Sequence, residues 1–143
     1  MPTLQLKVSP PVSATVRAAL ARELTALTAR LLGKRPEVTA VMIEALPPAQ
    51  WHVGAMEIQL ATAWLEISIT AGTNRQEQKA AYIEEAFALL QRLLGGGEPL
   101  EPASYVIVRE LPAEDWGYGG HTQAARQRAR QTGGVIASGE VVE

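Results

Sequence analysis

The sequence predicts an α+β domain in which a β-α-β unit occurs twice, its four strands forming one mixed sheet with both helices on one face. Two observations carry that prediction. An alternating apolar run, a helical apolar stripe and a short apolar β-branched run follow one another twice along the chain. In addition, the segment from Leu46 to Gly54 returns as Leu111 to Gly119, with Leu, Pro, Trp and Gly coinciding at a constant offset of 65.

The elements follow in order. Leu4, Leu6 and Val8 alternate with Thr3, Gln5 and Lys7, the period of a strand with one buried face, and this first strand begins at Pro2. Ser9-Pro10-Pro11 ends it. Val16, Leu20, Leu24, Leu27 and Leu31 then form a helical stripe over roughly residues 13–32, with Gly33 placed to cap it. After Pro36, the run Val38 to Ile43 reads as a largely buried second strand. The second copy begins near Ala63, where Leu65, Ile67 and Ile69 alternate with Glu66, Ser68 and Thr70. Asn74 is placed as an N-cap with Glu77 three residues on, and Ile83, Phe87, Leu90 and Leu94 form the stripe of the second helix. Gly95-Gly96-Gly97 ends it, and Tyr105 to Val108 gives the fourth strand.

Residues 1–120 therefore read as a single domain of two repeats, about 2–55 and 63–120, and residues 121–143 as a C-terminal extension. Within that extension, residues 123–130 suit a short surface helix bearing three arginines, and Val135 to Ala137 suits an edge strand. Two right-handed crossovers leave one sheet face without helices. Leu4, Leu6 and their neighbours on such a face need a cover, which points to a closed oligomer.

Composition narrows the function. The chain has 143 residues, 47% of them hydrophobic and 20% charged, a globular balance. It contains no Cys, which removes disulfides, thiolate metal sites and thiol nucleophiles. The two His residues, His52 and His121, have no partner at metal-ligand spacing, so a histidine-built metal site is not expected. A formal charge of −2 offers no footprint for nucleic acid. No stretch reaches the length of a membrane span and the start lacks the pattern of a signal peptide, so the expectation is a cytoplasmic protein with no membrane partner.

The first candidate for chemistry is Pro2. Removal of Met1 would expose a secondary amine at the head of a buried strand, where desolvation and neighbouring cations would favour its neutral, basic form.

Met1-Pro2 leading straight into a strand, the duplicated β-α-β unit, Gly33-Lys34-Arg35-Pro36, Ala71-Gly72-Thr73-Asn74-Arg75 and Trp116-Gly117-Tyr118-Gly119-Gly120 together resemble the tautomerase superfamily. That superfamily includes 4-oxalocrotonate tautomerase and macrophage migration inhibitory factor, and the resemblance covers about residues 2–120. It implies the fused, two-repeat form of that fold. It also implies a cofactor-independent tautomerase or isomerase of small α-keto or enol acids, with the amino-terminal proline as general base and a homotrimer whose pockets lie at subunit boundaries. Pro2 holds the catalytic position. Lys34 falls where a pocket lysine grips a substrate carboxylate, and Tyr105 where a pocket tyrosine, often from a neighbouring subunit, donates to the enolate oxygen. Arg75 falls near carboxylate-holding arginines and Trp116 near the pocket wall. Ala40 and Tyr105 stand where oxalocrotonate tautomerase carries a strand arginine, which favours a monocarboxylate or arylpyruvate-like enol over a dicarboxylate. Two alternatives stand beside this reading: a hydratase or dehalogenase of unsaturated acids in which Glu114 or Asp115 activates water, and a non-catalytic oligomeric binding protein.

Overall fold

The computed structural model describes residues 1–133. Its centre is a four-stranded sheet built from β1 (Thr3–Ser9), β2 (Ala40–Ala45), β3 (Thr62–Thr70) and β4 (Tyr105–Leu111). The spatial order is β2-β1-β3-β4. The outer pairs are parallel and the central pair antiparallel, with Leu4 opposite Ile67 and Leu6 opposite Leu65. Helices α1 (Ala14–Leu32) and α2 (Gln76–Leu94) are the two crossovers. The expected mixed sheet of duplicated β-α-β units is thus what the chain forms.

The core lies between the helices and the apolar side of the sheet. Leu4, Leu6, Val8, Ala63, Leu65, Ile67 and Ile69 pack there against Leu20, Leu24, Tyr82, Ala86 and Leu90, all essentially inaccessible to solvent. Leu4 and Leu6 therefore belong to the covered face, not to the open one the sequence reading assigned them. The open face is amphiphilic instead. By register it carries Met42 on β2, Gln5 and Lys7 on β1, Trp64 and Glu66 on β3, and Tyr105 and Ile107 on β4. Met42 is 52% and Tyr105 63% exposed. Lys7 Nζ sits 5.3 Å from the Trp64 ring centroid, a cation–π contact across that face.

Two element starts and the buried face of one helix differ from expectation. Residues 36–38 form a 3₁₀ turn, started by Pro36 and closed by the Thr39 N–H donating to the Pro36 carbonyl, so β2 begins only at Ala40. As an edge strand, β2 is also more exposed than the apolar run suggested. Helix α2 begins one residue later than Asn74 implied. Arg75 is its N-cap residue, and the Gln78 side chain, rather than Glu77, accepts from the Arg75 N–H at 2.8 Å. Asn74 ties the two helices instead, its amide donating to the Leu32 carbonyl at 3.1 Å. The buried stripe of α2 is Tyr82, Ala86, Leu89 and Leu90, whereas Ile83 is 40% exposed and Phe87 and Leu94 pack at the core's edge. The helix is rotated so that the Tyr82 hydroxyl meets Thr28 Oγ1 at 2.9 Å.

The duplication extends to the connections. Strands β5 (Gly117–Tyr118) and β6 (His121–Thr122) form a hairpin in the second repeat, and residues 52–53 pair with 56–57 in the first, each position displaced by 65. Both two-residue turns, Gly54-Ala55 and Gly119-Gly120, have positive φ throughout, as tight hairpins require. Helix α3 (Gln123–Gln131) follows directly, with the Thr122 side chain accepting from the Ala125 N–H at 3.0 Å. The short helix expected over 123–130 is therefore present, although Gln123 and Arg126 on it are buried. The edge strand expected at Val135 to Ala137 lies outside the described residues.

Candidate functional site

Pro2 is buried at the head of β1, where its carbonyl accepts from the Ala40 N–H at 3.2 Å. That hydrogen bond anchors the first residue of the strand to the sheet, so Met1 is presented in a fixed place. Met1 lines a cavity of about 280 Å³ together with Lys34, Arg35, Gln123, Arg126 and Arg130.

Local structure explains how these side chains converge. Gly33 ends α1 in the left-handed conformation, φ +70°, with its N–H donating to the Ala29 carbonyl at 3.0 Å. The chain thereby turns back beneath the amino terminus and delivers Lys34 and Arg35 to the cavity. Lys34 Nζ donates to Thr73 Oγ1 at 3.0 Å, and that hydroxyl donates onward to the Thr70 carbonyl at 2.6 Å. The opposite wall is α3, whose residues 123, 126, 127 and 130 share one helical face directed at the cavity. Gln123 Nε2 reaches the Met1 carbonyl at 3.5 Å.

Arg126 is the most unusual residue of this wall, since it is 2% exposed. Its guanidinium lies over the Tyr118 ring at 3.7 Å, and Nη2 donates to the Tyr118 carbonyl at 2.9 Å. Stacking and hydrogen bonding together set the plane of the guanidinium. Nearby, Glu110 is held below its ordinary pKa by the hydrogen bond from Lys79 and then by that from the Gly72 N–H. This carboxylate braces β4 against α2 behind the turn that carries Thr73.

Of the residues singled out from sequence, Pro2 and Lys34 are brought to one end of the sheet. Arg75 starts α2 at that same end, but its side chain is 76% exposed, its Nε is 3.7 Å from Glu77, and it does not line the cavity. Tyr105 is at the other end. It pairs with Trp64, whereas Pro2 lies one step beyond the Thr3–Ser68–Arg109 row, so five residues separate the two levels, roughly 16 Å at 3.3 Å per residue. Trp116 lines a separate, open hollow of about 300 Å³ with Glu114, Asp115 and His121. Trp116 Nε1 is buried without a hydrogen-bond partner among the described residues, and the Trp116 carbonyl accepts from the Gln123 N–H at 2.9 Å. Among the described residues there is no cluster of three or more His, Cys, Asp or Glu side chains able to hold a metal, and no helix is long and apolar enough to cross a membrane.

Sequence reasoning missed Arg35, Gln123, Arg126 and Arg130 as lining residues. The available signal was the i, i+3, i+4, i+7 spacing of Gln123, Arg126, Gln127 and Arg130, a polar stripe that a search for apolar periodicity passes over.

Comparison with known proteins places this architecture. No protein-family model matches the sequence, and no curated protein matches it. Solved structures do match. A wild-type fused 4-OT asymmetric trimer superposes with a TM-score of 0.77 at 24% identity, covering 88% of this chain and 99% of that one. The macrophage migration inhibitory factor-like protein of Entamoeba histolytica gives 0.67 at 17% identity over 85% and 97% of the two chains. N1, a member of the cis-3-chloroacrylic acid dehalogenase family, gives 0.72 at 20% identity over 84% and 82%. The chain has the tautomerase-superfamily fold, and the fused 4-OT structures share its two-repeat arrangement.

Proposed function

We propose that this chain, once Met1 is removed, is a cytoplasmic, cofactor-independent tautomerase or isomerase of small α-keto or enol acids, with Pro2 as its general base. The observation that carries the reading is the position of Pro2, buried and hydrogen-bonded to the sheet directly after Met1, which itself lines a cation-lined cavity. While Met1 is attached, the Pro2 nitrogen is a tertiary amide with no basic lone pair. Its release would leave a secondary amine facing Lys34 and Arg35, and nearby positive charge favours the neutral amine.

In this mechanism the substrate carboxylate sits on Lys34, and the Pro2 amine removes a proton from the carbon or enol oxygen next to the carbonyl. The resulting ammonium returns the proton at the other end of the enolate. Charge developing on the enolate oxygen is met by donors of the cavity wall. Tyr105 serves that site only from a neighbouring subunit, given its distance from Pro2 in its own chain. The fused 4-OT relatives described as trimers support a homotrimer here, with the amphiphilic face bearing Met42, Trp64 and Ile107 at the subunit boundary.

The test is ketonisation of phenylenolpyruvate, followed by ultraviolet absorbance across pH, on protein whose intact mass shows Met1 removed. The expected result is a rate that rises through the titration of an amine and falls by at least about 100-fold in Pro2→Ala. Full turnover by Pro2→Ala would overturn the proposal.

A further inference from the structure

We propose that Thr73 is a positioning residue of the amino-terminal cavity, its hydroxyl holding the Lys34 ammonium in a fixed place near the head of the first strand. The inference deepens the general-base reading of Pro2 and rests on it, since a cation fixed there acts on the proposed base.

Three features of the structure carry it. First, Thr73 and Lys34 line one cavity with Met1, whose carbonyl carbon bears the Pro2 nitrogen. Second, the direction of the hydrogen bonds suits a cation. The Thr73 hydroxyl has its best acceptor in the Thr70 carbonyl at 2.6 Å, against 3.5 Å for Asn74 Oδ1. With its one proton committed there, Oγ1 presents a lone pair to Lys34 Nζ at 3.0 Å. Third, both ends of this link are tied to the fold. The Ala71 N–H donates to the Leu111 carbonyl at 2.8 Å and the Gly72 N–H to Glu110 at 3.3 Å, which pins the turn carrying Thr73 to β4. The Asn74 amide donates to the Leu32 carbonyl at 3.1 Å, which pins the same turn to the end of α1, two residues before Lys34. A lysine is a point charge on a flexible stem, and a bond to a braced hydroxyl gives that charge one location. The role asks for a fixed charge and not for an open hydrogen-bonding position on Lys34. The other charged groups around it are Arg35 beside it, Arg126 and Arg130 on α3, and on β4 Glu110, which pairs with Lys79 and lies within electrostatic reach of Lys34.

The test titrates the Pro2 amine itself, by nitrogen NMR of protein carrying isotope-labelled proline and prepared with Pro2 as its first residue. Wild type, Thr73→Val, Thr73→Ser, Lys34→Gln and the double variant Thr73→Val with Lys34→Gln are compared. A nearby cation disfavours the ammonium form, so loosening that cation raises the pKa of the amine. Thr73→Val keeps the shape but cannot accept a hydrogen bond, and its amine is expected to titrate about half a pH unit above wild type. Lys34→Gln removes the charge and should raise the titration further, while Thr73→Ser restores the acceptor and should bring it back to wild type. Because Thr73 acts through Lys34, the double variant should match Lys34→Gln alone. Thr73 is exposed on its turn, so its replacement empties no core. Should Thr73→Val nevertheless fail to fold, Thr73→Ala is read the same way. An unmoved titration refutes the inference. So does a Thr73→Val shift that persists in full beside Lys34→Gln, the signature of a merely structural residue. Phenylenolpyruvate turnover by wild type and Pro2→Ala separates this inference from the reading beneath it. The expected shifts without Pro2-dependent turnover support the placement of Lys34 by Thr73 and sink the general base. Pro2-dependent turnover with an unmoved titration sinks only the role of Thr73.

Discussion

The buried hydroxyl pair between the two helices gives the most quantitative prediction. Thr28 and Tyr82 are both fully inaccessible, and their oxygens are 2.9 Å apart. Thr28 Oγ1 also donates to the Leu24 carbonyl at 2.7 Å, which uses its one proton, so the Tyr82 hydroxyl must be the donor of the shared bond. The two single substitutions are therefore unequal. Tyr82→Phe removes the donor and leaves Thr28 still bonded to Leu24, costing about 1 kcal/mol. Thr28→Val leaves a buried O–H with no acceptor and should cost about 2 kcal/mol. The double variant removes both polar groups, so it should be less destabilised than the sum of the singles by about 1 kcal/mol. Urea unfolding of the four proteins at one fixed concentration measures this, the fixed concentration being needed because assembly adds to apparent stability. Simple additivity within about 0.3 kcal/mol would refute the coupling of the two hydroxyls, and a Tyr82→Phe cost equal to or above that of Thr28→Val would refute the donor assignment. The same pair sets an alkaline limit. Burial pushes the Tyr82 hydroxyl up to about 12 from an ordinary 10.0, so above pH 10 the unfolded chain loses this proton while the folded chain keeps it. Stability should fall between pH 10 and 12, by up to roughly 3 kcal/mol, and Tyr82→Phe should flatten that limb.

Two further perturbations have clear signs. Ala55 is the one described non-glycine residue with positive φ, at 64°, so Ala55→Gly should raise the melting temperature slightly, by the equivalent of a few tenths to about 1 kcal/mol, with the fold unchanged by circular dichroism. Glu110 is held below its usual pKa by Lys79 and the Gly72 N–H, so its contribution is present at neutral pH and disappears as pH falls through its folded value. Glu110→Gln should accordingly be less stable than wild type at pH 7, by no more than about 1 kcal/mol, and converge with it in acid unfolding series.

Much of the fold was legible because two periodicities are hard to counterfeit. Alternation in Leu4, Leu6 and Val8, and again in Leu65, Ile67 and Ile69, fixed two central strands, and the return of Trp with its flanking Pro and Gly at an offset of 65 fixed the duplication. What failed was decided by partners far away in sequence. Tyr82 turned inward because Thr28, from the other helix, offered its hydroxyl; nothing near residue 82 signals that. Leu4 and Leu6 were placed on the wrong face because alternation separates two sides without saying which one the helices cover. Lys34 reached the cavity because Gly33 could take a left-handed conformation, a signal present in the sequence. Arg126 was passed over because arginines on a short polar helix ordinarily face water, whereas this one packs against the Tyr118 hairpin.

The repeats share their order of elements and their closing hairpins but not their beginnings. By register, Thr3 opposite Ala40 corresponds to Trp64 opposite Tyr105, which makes Ala63 the counterpart of Pro2. The Ala63 nitrogen sits inside the chain, and its N–H donates to Ser104 Oγ at 2.9 Å. Copying a segment end to end duplicates every side chain but cannot duplicate a terminus. If an amine at the head of a strand is the working group, joining two such units leaves one reactive end per folded chain, and the other strand head is released from chemical duty to serve only as a hydrogen-bonded joint.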